Sequence, residues 1–426
     1  MTPITSTAGV GAPRLDGAAL LSYGLFGLPL AMVALPIYVY VPQFYAQRSG
    51  LSLTAIGAAL LAARLLAAFL DPLLGAWIGR GGGRSGQYGR YIALSLPLLP
   101  LGFGALFHPP AGAGLAWFLC ALVLVYAGFG LAGIAHQSWG AALTQAPAER
   151  ARVSAAREAC GLLGVIGAAG VTAWLGYDAL SLAFALCLAL AGALLLARAP
   201  RPAAAPAPPP AASPPLPRSA LAEPFRGARF RALFSVLLVN GVAGAIPATL
   251  FLFFAEDRLR LGRYAGLFLI LYFAAAAVSM PLWVALARRF GEARAWAGAM
   301  LLAALVFVWA YALGAGAALG FGAICLLSGL ALGADLALPP ALLAGVIARA
   351  GHSGAREAAY FGWWNWGVQL NLALAAGIAL PLLGWLGYVP GREGGGQALA
   401  GAYALLPCGL KLLAAALLWR APLRDC

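Results

Sequence analysis

Lysine is almost missing from this chain of 426 residues: Lys411 is the only one, and acidic residues number just 13. Charged residues make up 9% of the chain, where an ordinary soluble domain carries about a quarter. With 63% hydrophobic residues there is too little polar surface to cover a soluble core, so a soluble fold is excluded. The apolar runs lack the two-residue alternation of a membrane β-barrel. The six cysteines are scattered and have neither metal-ligand spacing nor a disulfide framework. No glycine-rich nucleotide loop follows a strand, and no Ser-His-Asp set has a supporting context. GRGGGRSGQYG (79–89) is glycine-rich but joins two apolar segments, so it is not a phosphate cradle. Neither an enzyme nor a cofactor is expected. Residues 1–17 show no basic stretch followed by a cleavage site, so the first apolar segment is expected to be retained.

What is present is a series of helix-length apolar segments. Twelve are expected, at about 18–46, 52–79, 90–108, 114–143, 158–176, 179–198, 231–255, 264–287, 294–313, 318–346, 358–388 and 399–419. Each is long enough to cross roughly 30 Å of hydrocarbon. The net charge of +14 comes from arginines in the short connections, a membrane-topology signal that does not call for nucleic acid. With the N-terminus inside, only Arg48, Arg258, Arg260, Arg263 and Arg392 fall outside and Arg64 falls within the bilayer. All other arginines lie on the inner side, so both termini are expected in the cytoplasm and the protein in the inner membrane. The segment between spans six and seven includes PRPAAAPAPPPAASPPLPRS (200–219), too proline-rich for regular structure. The expected organisation is a six-helix bundle over 1–198, a linker over 199–230 and a second bundle over 231–426.

The halves repeat. SAAREA (154–159) returns as SGAREA (353–358), and the same offset aligns GLAGIAHQSWGAAL (130–143) with GLALGADLALPPAL (329–342). His136 thus corresponds to Asp335, Arg157 to Arg356 and Glu158 to Glu357. DPLLGAWIGR (71–80) corresponds to MPLWVALARR (280–289), and Pro36 and Pro247 kink the first helix of each half. Two like-oriented repeats place a solute path on the axis between them.

Twelve spans, a six-plus-six repeat and a long central loop resemble the major facilitator superfamily. Within it, YGLFGLPLA (23–31), ARLLAAFLDPLLG (63–75) and GQYGRY (86–91) resemble the glycoside–pentoside–hexuronide:cation symporters of the melibiose-carrier type. The resemblance implies an all-α membrane protein of two pseudo-symmetric six-helix bundles that moves a sugar or glycoside-like solute by alternating access. In that family a cluster of aspartates on helices one, two and four binds the coupling cation. Those positions fall on Pro29, Ala67 and near Gly133 here, leaving Asp71. A sodium ion needs several oxygen ligands, so a proton is the expected coupling ion.

The residues themselves supply the remaining candidates. Arg64 and Asp71 are seven residues apart and share one helix face. A charge facing lipid costs at least about 2.5–3.5 kcal/mol, so that face looks inward. Asp335 lies deep in span ten before Pro339 and Pro340, and Lys411 lies mid-span in helix twelve, where a buried ammonium needs a carboxylate such as Asp335. Asp71, Asp335, Arg64, Lys411 and His136 are the coupling candidates, and each also has a structural alternative as an ion pair or satisfied polar group. Tyr23, Tyr38, His136, Gln137, Asn240, Asn365, Trp366 and Gln369 are the solute-binding candidates, an amphipathic set suited to a sugar ring and equally able to form interhelical hydrogen bonds or an interfacial belt. Arg157, Glu158, Arg356, Glu357, Arg84 and Arg90 sit at the inner ends of helices, where ion pairs can gate the mouth. The expected partners are membrane lipid and a small solute, and a monomer is expected. Two other functions stay open: a lysophospholipid or lipid flippase, which the resemblance implies because relatives in the wider group move lysophospholipids, and a membrane scaffold that transports nothing.

Overall fold

The computed structural model describes residues 15–41, 44–45, 53–82, 87–144, 146–202, 218–353, 356–385, 388 and 396–423. These residues form helices, with no strand among those described. The first span is α1 (Gly17–Gly24) and α2 (Gly27–Leu35), which continues into a π-turn from Pro36 to Tyr40. Then follow α3 (Leu53–Gly82), α4 (Tyr88–Phe107), α5 (Leu115–Ala142) and α6 (Pro147–Arg198). A short linker helix α7 (Arg218–Arg226) precedes α8 (Ala228–Phe253), α9 (Ala265–Phe290), α10 (Glu292–Phe307), α11 (Ala318–Arg349) and α12 (Glu357–Trp385). The chain closes with α13 (Gly396–Ala400) and α14 (Leu406–Arg420), joined by a π-turn.

Eleven of the described helical stretches are long and apolar enough to cross a membrane. α12, with 29 residues, occupies the place of the remaining expected span; at 1.5 Å per residue it is about 44 Å long, also enough to cross. The expected break between spans five and six is a kink in one continuous helix: α6 runs for 52 residues and turns at Gly176, whose φ of +80° suits glycine. Leu61, Leu65, Phe69, Leu73 and Trp77 form an exposed stripe along α3 while Ala63, Ala67, Asp71 and Ile78 are buried. That is the arrangement expected of a helix with one face to lipid and one to protein. The protein is a multi-pass membrane protein.

The two halves pack alike. In the first, α2 lies on α6, α5 on α3 and α4, and α4 on α6; in the second, α8 lies on α12, α11 on α9 and α10, and α10 on α14. Contacts between the halves are also paired, α3 with α12 and α6 with α9 and α11. Small residues permit this closeness: a Cβ on Gly75 would lie 2.2 Å from the Ala358 carbonyl oxygen, and one on Gly362 would lie 2.6 Å from that of Asp71.

The two ends of the molecule differ. At the end holding Arg80, Arg90, Arg198, Arg288, Arg349 and Arg420, one hydrophobic core runs through both halves and includes Tyr88, Trp139, Phe230, Trp296, Leu342 and Phe361. At the opposite end the second half has a separate core of its own, built from Ile246, Phe254, Phe268, Phe321, Leu383 and Tyr403. Among the described residues, apolar packing between the halves lies in the core at the arginine-rich end and in a small cluster of Leu162 with Ala276 and Met280.

Candidate functional site

Deep in the second half, four helices converge on Asp335 of α11. Its Oδ1 accepts from Trp296 Nε1 of α10 at 2.7 Å and from Asn240 Nδ2 of α8 at 3.1 Å. Its Oδ2 accepts from Lys411 Nζ of α14. Lys411 is 8% exposed, so the pair is shielded from water. Three donors, one of them charged, satisfy the carboxylate in a medium where an unpaired charge is very costly. Trp296 was not among the expected site residues.

The corresponding position in the first half holds a hydrogen-bonded, uncharged arrangement. His136 Nε2 lies 2.9 Å from the Tyr23 carbonyl oxygen, and Tyr23 Oη donates to the His136 carbonyl oxygen at 3.0 Å. A carbonyl only accepts, so Nε2 carries the hydrogen and Nδ1 is an acceptor. Nδ1 has no hydrogen-bond partner among the described residues. Each half thus ties its first helix to its fourth, through His136 and Tyr23 in one and Asp335 and Asn240 in the other. A cleft between the halves, lined by Tyr23, Gln137, Arg150, Ser154, Arg157, Pro340, Ala344 and Phe361, lies next to the His136 arrangement. Arg157 pairs with its neighbour Glu158, and Arg150 lines the same cleft.

Asp71 occupies a third setting, at the crossing of α3 with α5 and α12. It is 5% exposed. A Cβ on Gly130 of α5 would lie 2.6 Å from its Oδ1, so glycine there makes room for the carboxylate. No hydrogen bond or ion pair reaches the Asp71 carboxylate from the described residues. Arg64, on the same face two turns away, is partly buried.

At the arginine-rich end, Tyr88 Oη of α4 donates to Glu357 Oε2 of α12 at 2.8 Å, and both residues are buried. This bond crosses between the halves. Tyr88 was missed at the sequence level, because 269 positions separate the partners. Arg356 pairs with Glu223 of the linker helix, and His352 Nε2 lies 3.9 Å from the same carboxylate. Burial pushes the His352 imidazole below its usual value. Arg90 donates to Tyr91 Oη at 2.7 Å and to Gln87 at 3.3 Å, at the exposed start of α4. Trp366 stacks on Phe234 at 6.1 Å and meets Trp363 at 5.5 Å, while Phe225 of the linker helix packs on Trp363 at 4.9 Å. Asn365 and Gln369 are partly buried. Arg84 and the side chain of Tyr38 lie outside the described residues.

A family whose description is MFS/sugar transport protein matches residues 22–425. No curated protein sequence matches the chain. Among solved structures, the E. coli fucose:proton symporter FucP is similar with a TM-score of 0.66 and 15% identity, over 94% of this chain and 97% of that one. The human organic anion transporter MFSD10 gives 0.69 and 18%, over 95% of this chain and 100% of that one. A bacterial homologue of the iron transporter ferroportin in an outward-facing state gives 0.70 and 16%, over 96% and 99%. At these identities the likeness is one of fold, and the fold is that of the major facilitator superfamily. With the match running from the first span to the end of the last, the chain belongs to the MFS/sugar transport family of that superfamily.

Proposed function

We propose that this protein is a secondary transporter that carries a small, sugar- or glycoside-like solute across the inner membrane by alternating access, coupled to protons. The observation that carries the reading is the inequality of the two ends: one core runs through both halves at the arginine-rich end, and at the other the second half has a core of its own. Alternating access needs two packed bodies that exchange which end is shut. The arginine distribution supports placing the arginine-rich end in the cytoplasm, and we read the arrangement as one shut toward the cytoplasm. The two bodies are the bundles 1–198 and 231–426, and the α3–α12 and α6–α9 contacts are the seams along which they rock.

Coupling is assigned to Asp71. It is buried at a seam between the halves and has no counter-charge among the described residues, so it can take up a proton on one side and release it on the other. Asp335 has its own ammonium in Lys411, and its role in this scheme is to position the polar floor of the second half. Glu357, Tyr88 and Arg157 lie at the shut mouth and act as its latch.

The test is uptake into proteoliposomes of purified protein. A proton gradient is expected to drive accumulation of a sugar or glycoside, and Asp71→Asn is expected to abolish accumulation while retaining exchange at equal concentrations. Uphill accumulation that survives Asp71→Asn would remove Asp71 from the coupling step. Transport of a lipid analogue between leaflets, with no sugar uptake, would replace the reading with a flippase.

A further inference from the structure

α10 and α14 lie side by side and pack on helices of their own half, away from the seams between the halves. At the arginine-rich end a groove opens between them, lined by Ala293, Arg294, Ala297, Leu418 and Trp419. Ala293, Ala297 and Leu418 are buried and form its floor, while Arg294 and Trp419 are exposed at its rim. No hydrogen bond or ion pair holds the Arg294 guanidinium among the described residues.

The first half shows what that place looks like when it is filled. Arg90 is the third residue of α4, as Arg294 is of α10. Its guanidinium is occupied, donating to Tyr91 Oη at 2.7 Å and to Gln87 at 3.3 Å. The residue after Arg294 is Ala295, whose side chain offers no acceptor. The seam beside Arg90 is also packed: a Cβ on Gly192 of α6 would lie 2.6 Å from Leu96 Cδ2 of α4. In the second half a Cβ on Gly298, one turn from Arg294, would meet nothing within 4 Å.

An apolar track leads away from the groove. Gly298, Leu301 and Leu305 continue the exposed face of α10 from Arg294, and Ala416 and Leu412 continue that of α14 from Trp419. Arg294 and Leu305 are eleven residues apart. At 1.5 Å per residue that is about 16 Å, the hydrocarbon depth of one leaflet. The exposed charges around the groove have one sign. Arg288 and Arg289 end α9, and Arg420 follows Trp419. Of the described acids of the linker helix and second half at this end, Glu223 is paired with Arg356, and Glu292 and Glu357 are buried. Both carboxylate oxygens of Glu292 are sealed from the surface, so they do not compete for Arg294 at the rim.

We propose that this groove binds an anionic phospholipid of the leaflet at the arginine-rich end. Its phosphate sits on Arg294, whose planar fork of donors suits phosphate oxygens. The Trp419 ring lies at the level of the glycerol backbone, and an acyl chain follows Gly298 to Leu305. A zwitterionic headgroup fits less well, because its ammonium finds no exposed, unpaired carboxylate beside the groove among the described residues. The lipid has a structural consequence. α10 carries Trp296 and α14 carries Lys411, and both donate to Asp335. A molecule that spans the same two helices braces that cluster from outside. The site faces lipid and is independent of the solute carried.

The test is native mass spectrometry and thermal unfolding of the full-length protein, stripped of lipid in detergent and titrated with phosphatidylglycerol, phosphatidylcholine or inorganic phosphate. One phosphatidylglycerol is expected to bind at concentrations where phosphatidylcholine and phosphate do not, and to raise the unfolding temperature. Arg294→Gln is expected to raise the Kd for phosphatidylglycerol about tenfold, the effect of one charge-assisted hydrogen bond. Arg198→Gln, at the corresponding end of the first half, is expected to leave that Kd unchanged. If Arg294→Gln fails to fold, Gly298→Leu, on an exposed face with room for the side chain, obstructs the acyl track and is read in the same way. Equal binding of phosphatidylcholine, binding of phosphate alone, an unchanged Kd in the folded groove variant, or an equal loss in Arg198→Gln would overturn the proposal.

Discussion

Asp335 and Asp71 are both carboxylates within membrane-crossing helices, and their surroundings are opposite. Asp335 has a fixed ammonium and two neutral donors drawn from three other helices of its own half. Asp71 sits between a glycine of its own half and a glycine of the other, with no donor on its carboxylate among the described residues. The first arrangement is complete within one body and has no reason to change when the halves move. The second lies on a seam, and in the proposed transport cycle its environment changes as α3 moves against α12. A buried charge that is fully paired contributes order; one that is unpaired at a moving boundary is suited to exchanging a proton.

The largest effect expected from this contrast is at Lys411. Lys411→Met leaves Asp335 buried without a counter-charge, which typically costs about 3–5 kcal/mol. A large drop in thermal stability in detergent is expected, and the double variant Lys411→Met with Asp335→Asn is expected to regain most of it. If the double variant is as unstable as the single one, the pair is not what makes Lys411 important. Next comes Tyr88→Phe, which removes a hydrogen bond to a carboxylate across the halves, worth about 1.5–3 kcal/mol. Because that bond exists at the shut mouth, its loss should favour opening there by about tenfold or more. The readout is alkylation of a cysteine placed at Ser154, in a background without the native cysteines, and it should become faster.

Gly362→Ala is expected to cost somewhat less, about 1–3 kcal/mol, by overpacking. Its Cβ would lie 2.6 Å from the Asp71 carbonyl oxygen and 3.1 Å from Pro72 Cα, and backbone cannot swing aside as a side-chain tip can. The measurement is thermal unfolding beside a control such as Gly298→Ala, whose Cβ meets nothing within 4 Å. Equal stabilities would mean that the α3–α12 seam is looser than its geometry implies.

Much of this architecture was legible in the sequence, for definite reasons. Membrane spans announce themselves by length and apolarity, and the Gly176-Tyr177-Asp178 interruption appears as the kink in α6. The pairing of Lys411 with Asp335 was accessible because the chain has one lysine, and a buried ammonium needs an anion. Trp296 was not accessible in the same way. A tryptophan in an apolar run looks the same whether it packs, lies at an interface or donates to an aspartate. Trp366, chosen as a solute contact, packs into the aromatic cluster around Phe234 and Trp363, which involves a linker helix whose docking no local pattern describes. The charged helix entries were legible in the sequence, and their partners were not: Glu357 meets Tyr88, and Arg356 meets Glu223.

The smallest stability effect is expected where the functional effect is greatest. Asp71→Asn replaces a buried carboxyl group by an amide of nearly the same shape. No donor is lost by the change, since none of the described residues donates to the carboxylate. No ion pair is broken either, so the several kcal/mol expected at Lys411 have no counterpart here, and thermal stability should shift by less than about 1 kcal/mol in either direction. The amide cannot exchange a proton, so gradient-driven accumulation should disappear while solute exchange at equal concentrations continues. Asp335→Asn should show the reverse pattern: it leaves Lys411 without its anion, lowers stability by several kcal/mol, and in whatever fraction remains folded preserves the dependence on the gradient. Measuring stability and uphill uptake side by side in the two variants therefore separates a carboxylate that builds the second half from one that couples the halves. If both variants lose stability and coupling together, the distinction between the two sites fails.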